Sequence, residues 1–175
     1  MRITLVLAAA VAIAAALILI GISIFKSRQA RVADQSPLWA TASAPRLSDE
    51  EAAIIAAKYP TAQASASGLR YVVRSPGIGD AKPRPGQLLT VNYEGRLLRD
   101  GAKFDSSFDR REPFTFAVGM GKVIRGWDEA LADMKRGERR TIIVPWWLGY
   151  GERGAPPRIP ARASLIFEIE LIDMN

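Results

Sequence analysis

Covalent or proton-transfer chemistry in this sequence has only carboxylates, hydroxyls, amines, guanidinium groups and the backbone to work with, because its 175 residues include no cysteine and no histidine. Without a thiol there is no cysteine nucleophile, no disulfide and no Cys-based zinc site. Without an imidazole there is no Ser-His-Asp triad and no histidine relay. No acidic loop with EF-hand spacing offers an oxygen-only metal site. Any catalysis therefore runs on carboxylates, hydroxyls, backbone groups or the shape of a cavity. Aromatic side chains are spread over the same stretch of chain: Tyr93, Phe104, Phe114, Phe116, Trp127, Tyr150 and Phe167. Taken singly, each reads as core, and Asp105, beside Phe104, reads as a turn residue.

The elements that would position these residues follow from periodicity. Leu69 to Arg74 reads as a strand. Leu89, Val91 and Tyr93 alternate with Thr90 and Asn92. Arg140 to Val144 is β-branched and apolar, and Leu165, Phe167, Ile169 and Leu171 alternate with Glu168 and Glu170. Among them, Trp127, Ala130, Leu131 and Met134 fall at helical spacing, between Gly126 and Gly137. One amphipathic helix against an antiparallel sheet is an α+β arrangement. Upstream, Ser48-Asp49-Glu50-Glu51 is a capping box for a short helix at about 48–58 that Pro60 stops. The net charge of +6 suits acidic surfaces such as anionic headgroups. No RNP-like, zinc-finger or helix-turn-helix signature accompanies it, so the charge reads as a solvated basic face and not as a nucleic-acid site.

The order of the motifs says more than any residue singly. Val91-Asn92-Tyr93-Glu94-Gly95 is followed by Asp100-Gly101-Ala102-Lys103-Phe104-Asp105-Ser106-Ser107 and Pro113-Phe114-Thr115-Phe116. Then come Val123-Ile124-Arg125-Gly126-Trp127-Asp128, Leu148-Gly149-Tyr150-Gly151, Ile159-Pro160 and the strand Leu165 to Leu171. From about Gly68 to the C-terminus this resembles the FKBP family of peptidyl-prolyl cis–trans isomerases. The resemblance implies a curved antiparallel sheet of five or six strands wrapped around one short helix, with a proline pocket between them. Carried over, the catalytic set is Tyr93, Phe104, Asp105, Trp127 and Tyr150, with Trp127 as floor. The substrate-binding set is Phe114, Phe116, Val123, Ile124, Ile159 and Phe167. In family members the amide matching Ile124 and the hydroxyl matching Tyr150 hydrogen-bond ligand carbonyls.

The implied activity is rotation about X-Pro bonds of proline-containing polypeptide clients, assisting folding at a membrane or envelope, with no cofactor. A macrolide ligand is implied as well. The alternative is an FKBP-like binding or chaperone module with little turnover. The sequence departs from the common pattern at Lys122, Ala155, Arg158 and Ala161, and Trp146-Trp147 is unusual. These positions bear on substrate preference and macrolide affinity.

Ile3 to Phe25 is uncharged. As a helix rising about 1.5 Å per residue it is long enough for a hydrocarbon core of about 30 Å. It lacks a small-x-small cleavage site, so it reads as a transmembrane anchor over residues 1–25, the alternative being a signal peptide. Residues 26–67 read as a flexible tether carrying the short helix, and 68–175 as the isomerase domain. Lys26, Arg28 and Arg31 favour a cytoplasmic domain. The resemblance to exported members favours the periplasmic side of a bacterial-type membrane, which is the expectation adopted.

Overall fold

The computed structural model describes residues 45–175. The expected anchor over 1–25 and the first part of the tether lie outside the described residues. Among the described residues no helix is long and apolar enough to cross a membrane.

Seven strands form one antiparallel sheet: β1 (Gln63–Ala64), β2 (Arg70–Ser75), β3 (Leu88–Leu97), β4 (Lys103–Ser106), β5 (Phe114–Ala117), β6 (Arg139–Val144) and β7 (Leu165–Met174). Their order is β1-β2-β6-β7-β3-β4, with β5 also on β3. The long strand β3 lies along β7 on one edge. Its other edge is shared: Leu88 to Val91 pair with β5, and Glu94 to Arg96 with β4. Period-two alternation turns Leu89, Val91 and Tyr93 of β3 and Leu165, Phe167, Ile169 and Leu171 of β7 to the same buried core. The sheet has one or two strands more than the resemblance implied, and β1, from the segment before Gly68, is one of them.

Three helices accompany the sheet: α1 (Asp49–Lys58), α2 (Ser107–Arg110) and α3 (Arg125–Leu131). Helix α3 fills the hollow of the sheet, burying Trp127, Ala130 and Leu131. Gly126 lies inside it, not before it: a Cβ there would come within 2.6 Å of Val144 on β6. A glycine is thus what lets helix and strand approach so closely. Met134, at the end of the apolar stripe, is fully buried just beyond the last helical residue.

The boundary expected at residue 68 is too late. Residues 45–175 form one compact unit. Helix α1 begins on a complete capping box, with Glu51 N–H donating to Ser48 Oγ at 3.2 Å and Ser48 N–H to Glu51 Oε2 at 3.1 Å. It seals the outer face of the sheet. Ile55 packs with Leu98, Ile143 and Ile166, and the last two sit opposite each other on β6 and β7. After Pro60 the chain pairs as β1 with β2 through Gln63 and Ala64. Trp147 then donates from Nε1 to the Ser67 carbonyl oxygen at 2.9 Å. Residues 48–67 are therefore covering structure, held by apolar contact and by an indole that the sequence marked only as unusual.

Candidate active site

Seven segments bring side chains to one cavity of about 390 Å³, helix α2 among them through Arg110. Strand β3 supplies Tyr93, β4 supplies Phe104 and Asp105, β5 supplies Phe114, and β7 supplies Phe167. The turn before α3 and its first turn supply Lys122, Val123, Ile124 and Trp127, while Tyr150 follows a single 3-10 turn at Trp146–Leu148. Trp127 is the floor. Its ring centre lies 4.9 Å from that of Tyr93 and 5.3 Å from that of Phe167, both nearly perpendicular. Phe104 meets Phe167 edge-on at 5.6 Å. These edge-to-face contacts fix the rings relative to one another, so the cavity is preformed.

Gly95 lies beneath this wall. A Cβ built on it would fall 2.6 Å from Phe104 and 2.8 Å from Phe167, closer than carbon atoms approach. Only a glycine lets both rings rest against β3.

The polar edge is one cluster. The Tyr93 hydroxyl donates to Asp105 Oδ2, and Arg110 pairs with Asp105 Oδ1. Arg110 also donates to the Tyr93 hydroxyl at 3.0 Å and lies 5.6 Å from the centre of that ring. Burial opposes ionisation of Asp105, but the hydrogen bonds from Tyr93 and Arg110 outweigh it and hold its carboxyl below the usual range. Burial, then the bond to Asp105, pushes the Tyr93 hydroxyl up. Burial raises Tyr150 too, helped by the Asp105 charge. All three move away from neutrality, so Asp105 is a fixed anion that orients its neighbours and is not a proton donor.

Two of the donors left for a ligand match those the resemblance names. Ile124 N–H and the Tyr150 hydroxyl have no acceptor among the described residues. The turn that presents Ile124 is held by Asp128, whose carboxylate accepts from Gly119 N–H at 2.8 Å and Gly121 N–H at 3.0 Å.

Of the expected site residues, Tyr93, Phe104, Asp105, Phe114, Val123, Ile124, Trp127, Tyr150 and Phe167 all line the cavity. Phe116 and Ile159 do not. Phe116 is buried behind Phe114, stacked on it at 5.5 Å and tilted 5.9 Å from Trp127. Ile159 is buried in the core, its backbone bridged to Ala155. Both support the walls from behind. Arg110 was missed. Its only trace in the sequence is a basic residue five positions after Asp105, a spacing that belongs to no regular element until α2 turns the chain back.

A family model described as FKBP-type peptidyl-prolyl cis-trans isomerase matches residues 79–172. FK506-binding protein 1A of Aspergillus fumigatus is 47% identical over 108 residues, 62% of this chain and 96% of that protein. The human peptidyl-prolyl cis-trans isomerase FKBP2 is 52% identical over 94 residues, 54% of this chain and 66% of its own length. The crystal structure of AtFKBP13 superposes with a TM-score of 0.61 and 37% identity, covering 65% of this chain and 98% of that one.

Proposed function

Since the chain belongs to the FKBP-type peptidyl-prolyl cis–trans isomerase family and is an enzyme of that class, we propose that X-Pro bonds rotate in the Trp127-floored cavity, held by the Ile124 amide and the Tyr150 hydroxyl. No covalent bond breaks in this reaction. The barrier, about 18–20 kcal/mol, is the resonance of the amide. The twisted transition state has lost that delocalisation, so its carbonyl is less polar and its nitrogen pyramidal. Water favours the planar, polar ground state. A cavity walled by Trp127, Phe104 and Phe167 removes that advantage and favours the twisted form. Tyr150 and Ile124 hold flanking carbonyls, so that rotation takes place on one side of the bond. The observation that carries this reading is the convergence of seven segments on an aromatic cavity whose polar edge is fixed by the Tyr93, Asp105 and Arg110 cluster.

The test is exchange of an X-Pro peptide by residues 45–175, without metal or nucleotide. Turnover should be flat between about pH 6 and 8, since Asp105 and both tyrosines titrate outside that range. Tyr150→Phe keeps the ring and removes one hydroxyl. It should lower kcat/KM about two- to tenfold, the value of one ordinary hydrogen bond, with stability changed by less than about 0.5 kcal/mol. Rates equal to buffer would reduce the protein to a binding module, and unchanged turnover in the variant would remove Tyr150 from the mechanism.

Proline-containing polypeptides are the proposed clients. The fungal relative named for FK506 binding suggests a macrolide in the same cavity. We further propose that Ile3 to Phe25 anchors the chain as a single span of a bacterial-type membrane, with the isomerase on the envelope side. The length of the apolar run and the lack of a cleavage site support this; Lys26, Arg28 and Arg31 count against the side chosen. Protease added to osmotically opened cells should remove residues 45–175 while the inner membrane stays sealed. Protection until detergent is added would reverse the topology, and recovery in the soluble fraction would mean cleavage.

A further inference from the structure

We propose that Lys122 and Arg158 make the mouth of the cavity a carboxylate-selecting rim, so that the preferred clients carry an acidic residue next to the proline. The inference rests on the isomerase reading of the same cavity and adds its substrate class.

The charges lining the cavity are unbalanced. Arg110 and Lys122 contribute two cations and Asp105 one carboxylate, and that carboxylate is already engaged by Arg110 and the Tyr93 hydroxyl. Lys122 is left over. Arg158 adds a second surplus charge. It stands on a loop closed by reciprocal bonds between Ala155 and Ile159, at 2.9 and 3.0 Å. From there its Nη1 donates to the carbonyl oxygen of Phe104, a wall residue, at 3.2 Å. The guanidinium is thereby held at the wall while its other N–H groups remain free to donate.

Neither Lys122 nor Arg158 has a carboxylate within ion-pair distance among the described residues. Elsewhere Lys103, on β4, pairs with Asp109 at 2.5 Å, and Arg162, beyond Arg158, pairs with Glu152 at 2.7 Å. Glu112 lines a separate depression beyond Arg110. Several other described cations, Arg125 and Arg153 among them, also lack an ion pair; what distinguishes the two rim cations is place, since Lys122 lines the cavity and Arg158 is bonded to its wall residue Phe104 from a different loop. A peptide advances about 3.3–3.6 Å per residue, so a residue adjacent to a seated proline lies within reach of a long cationic side chain. Both cations are exposed, so each contributes only what a surface ion pair does, and salt screens it.

The test compares tetrapeptides with Glu, Gln or Lys immediately before proline, turned over by the full chain. At low ionic strength kcat/KM for Glu should exceed that for Gln by about three- to tenfold, the size two exposed pairs supply, with Lys lowest. The ratio should fall towards one in about 1 M salt. The double variant Lys122→Gln/Arg158→Gln should bring it close to one, and Lys122→Glu/Arg158→Glu should invert it. Each ratio is internal to one protein, so a general loss of turnover does not disturb it. A ratio of one or less in the unmodified chain, or a ratio unchanged in the double variant, overturns the rim while leaving the isomerase intact. No turnover of any peptide overturns both.

Discussion

Trp127→Ala should abolish catalysis and cost about 3–5 kcal/mol of stability, the usual range for emptying a buried aromatic site. The indole is 4% exposed and touches the rings of Tyr93, Phe114, Phe116 and Phe167. Its Nε1 has no acceptor among the described residues, so the loss is one of packing and not of a hydrogen bond. Four rings would lose the surface that orients them, and the cavity would lose its floor. Trp127→Phe separates the two effects, because it keeps an aromatic floor and a folded chain while changing its depth. Denaturant unfolding and peptide exchange measure both. A folded alanine variant with unchanged turnover would place catalysis elsewhere.

The other large effect lies away from the cavity. Arg140→Ala should destabilise by about 3–5 kcal/mol, because it strands a buried carboxylate. Arg140 and Glu138 are almost wholly buried, 2.6 Å apart. The guanidinium lies 4.5 Å from the centre of the Tyr71 ring and donates to the Ala130 carbonyl oxygen at 3.4 Å. It thus ties β6 to the C-terminal end of α3, the helix whose first turn carries Trp127. Glu138→Gln should cost less, since it retains an acceptor for Lys135 N–H, which bonds Glu138 Oε2 at 3.0 Å. A loss of under about 1 kcal/mol in Arg140→Ala would show that water reaches the pair.

The contrast between these two residues shows what the sequence made legible. Trp127 sits in the block Val-Ile-Arg-Gly-Trp and at a helical core position, so motif and periodicity agree on it. Arg140 looks like the first polar residue of an apolar strand. Only the fold reveals that it faces the core, because a buried ion pair depends on two chain segments meeting. Phe116 was assigned to the cavity with Phe114 through the family resemblance; the two share a strand face, but a motif does not give the depth, and Phe114 stands in front. Helix α1 was read as a short helix within a tether, since the segments on either side of it look like linker. Its partners Leu98, Ile143 and Ile166 lie on the outer face of strands whose inner face already satisfied the pattern. Arg110 needed the turn of α2 to reach Asp105, a loop geometry that no spacing rule encodes.

Gly95 restricts how this enzyme can diversify. The rings of Phe104 and Phe167 rest directly on its backbone, so any side chain there would push the wall inward or unseat it. The wall above Gly95 can therefore not be reshaped from that position by a single substitution that keeps both rings in place. New specificities have to arise on the loops around the mouth, where Lys122, Ala155 and Arg158 stand and where a change of charge or size leaves the sheet undisturbed. A mutational library directed at the rim should thus yield folded variants with altered substrate choice, whereas one directed at the floor should yield mostly unfolded chains.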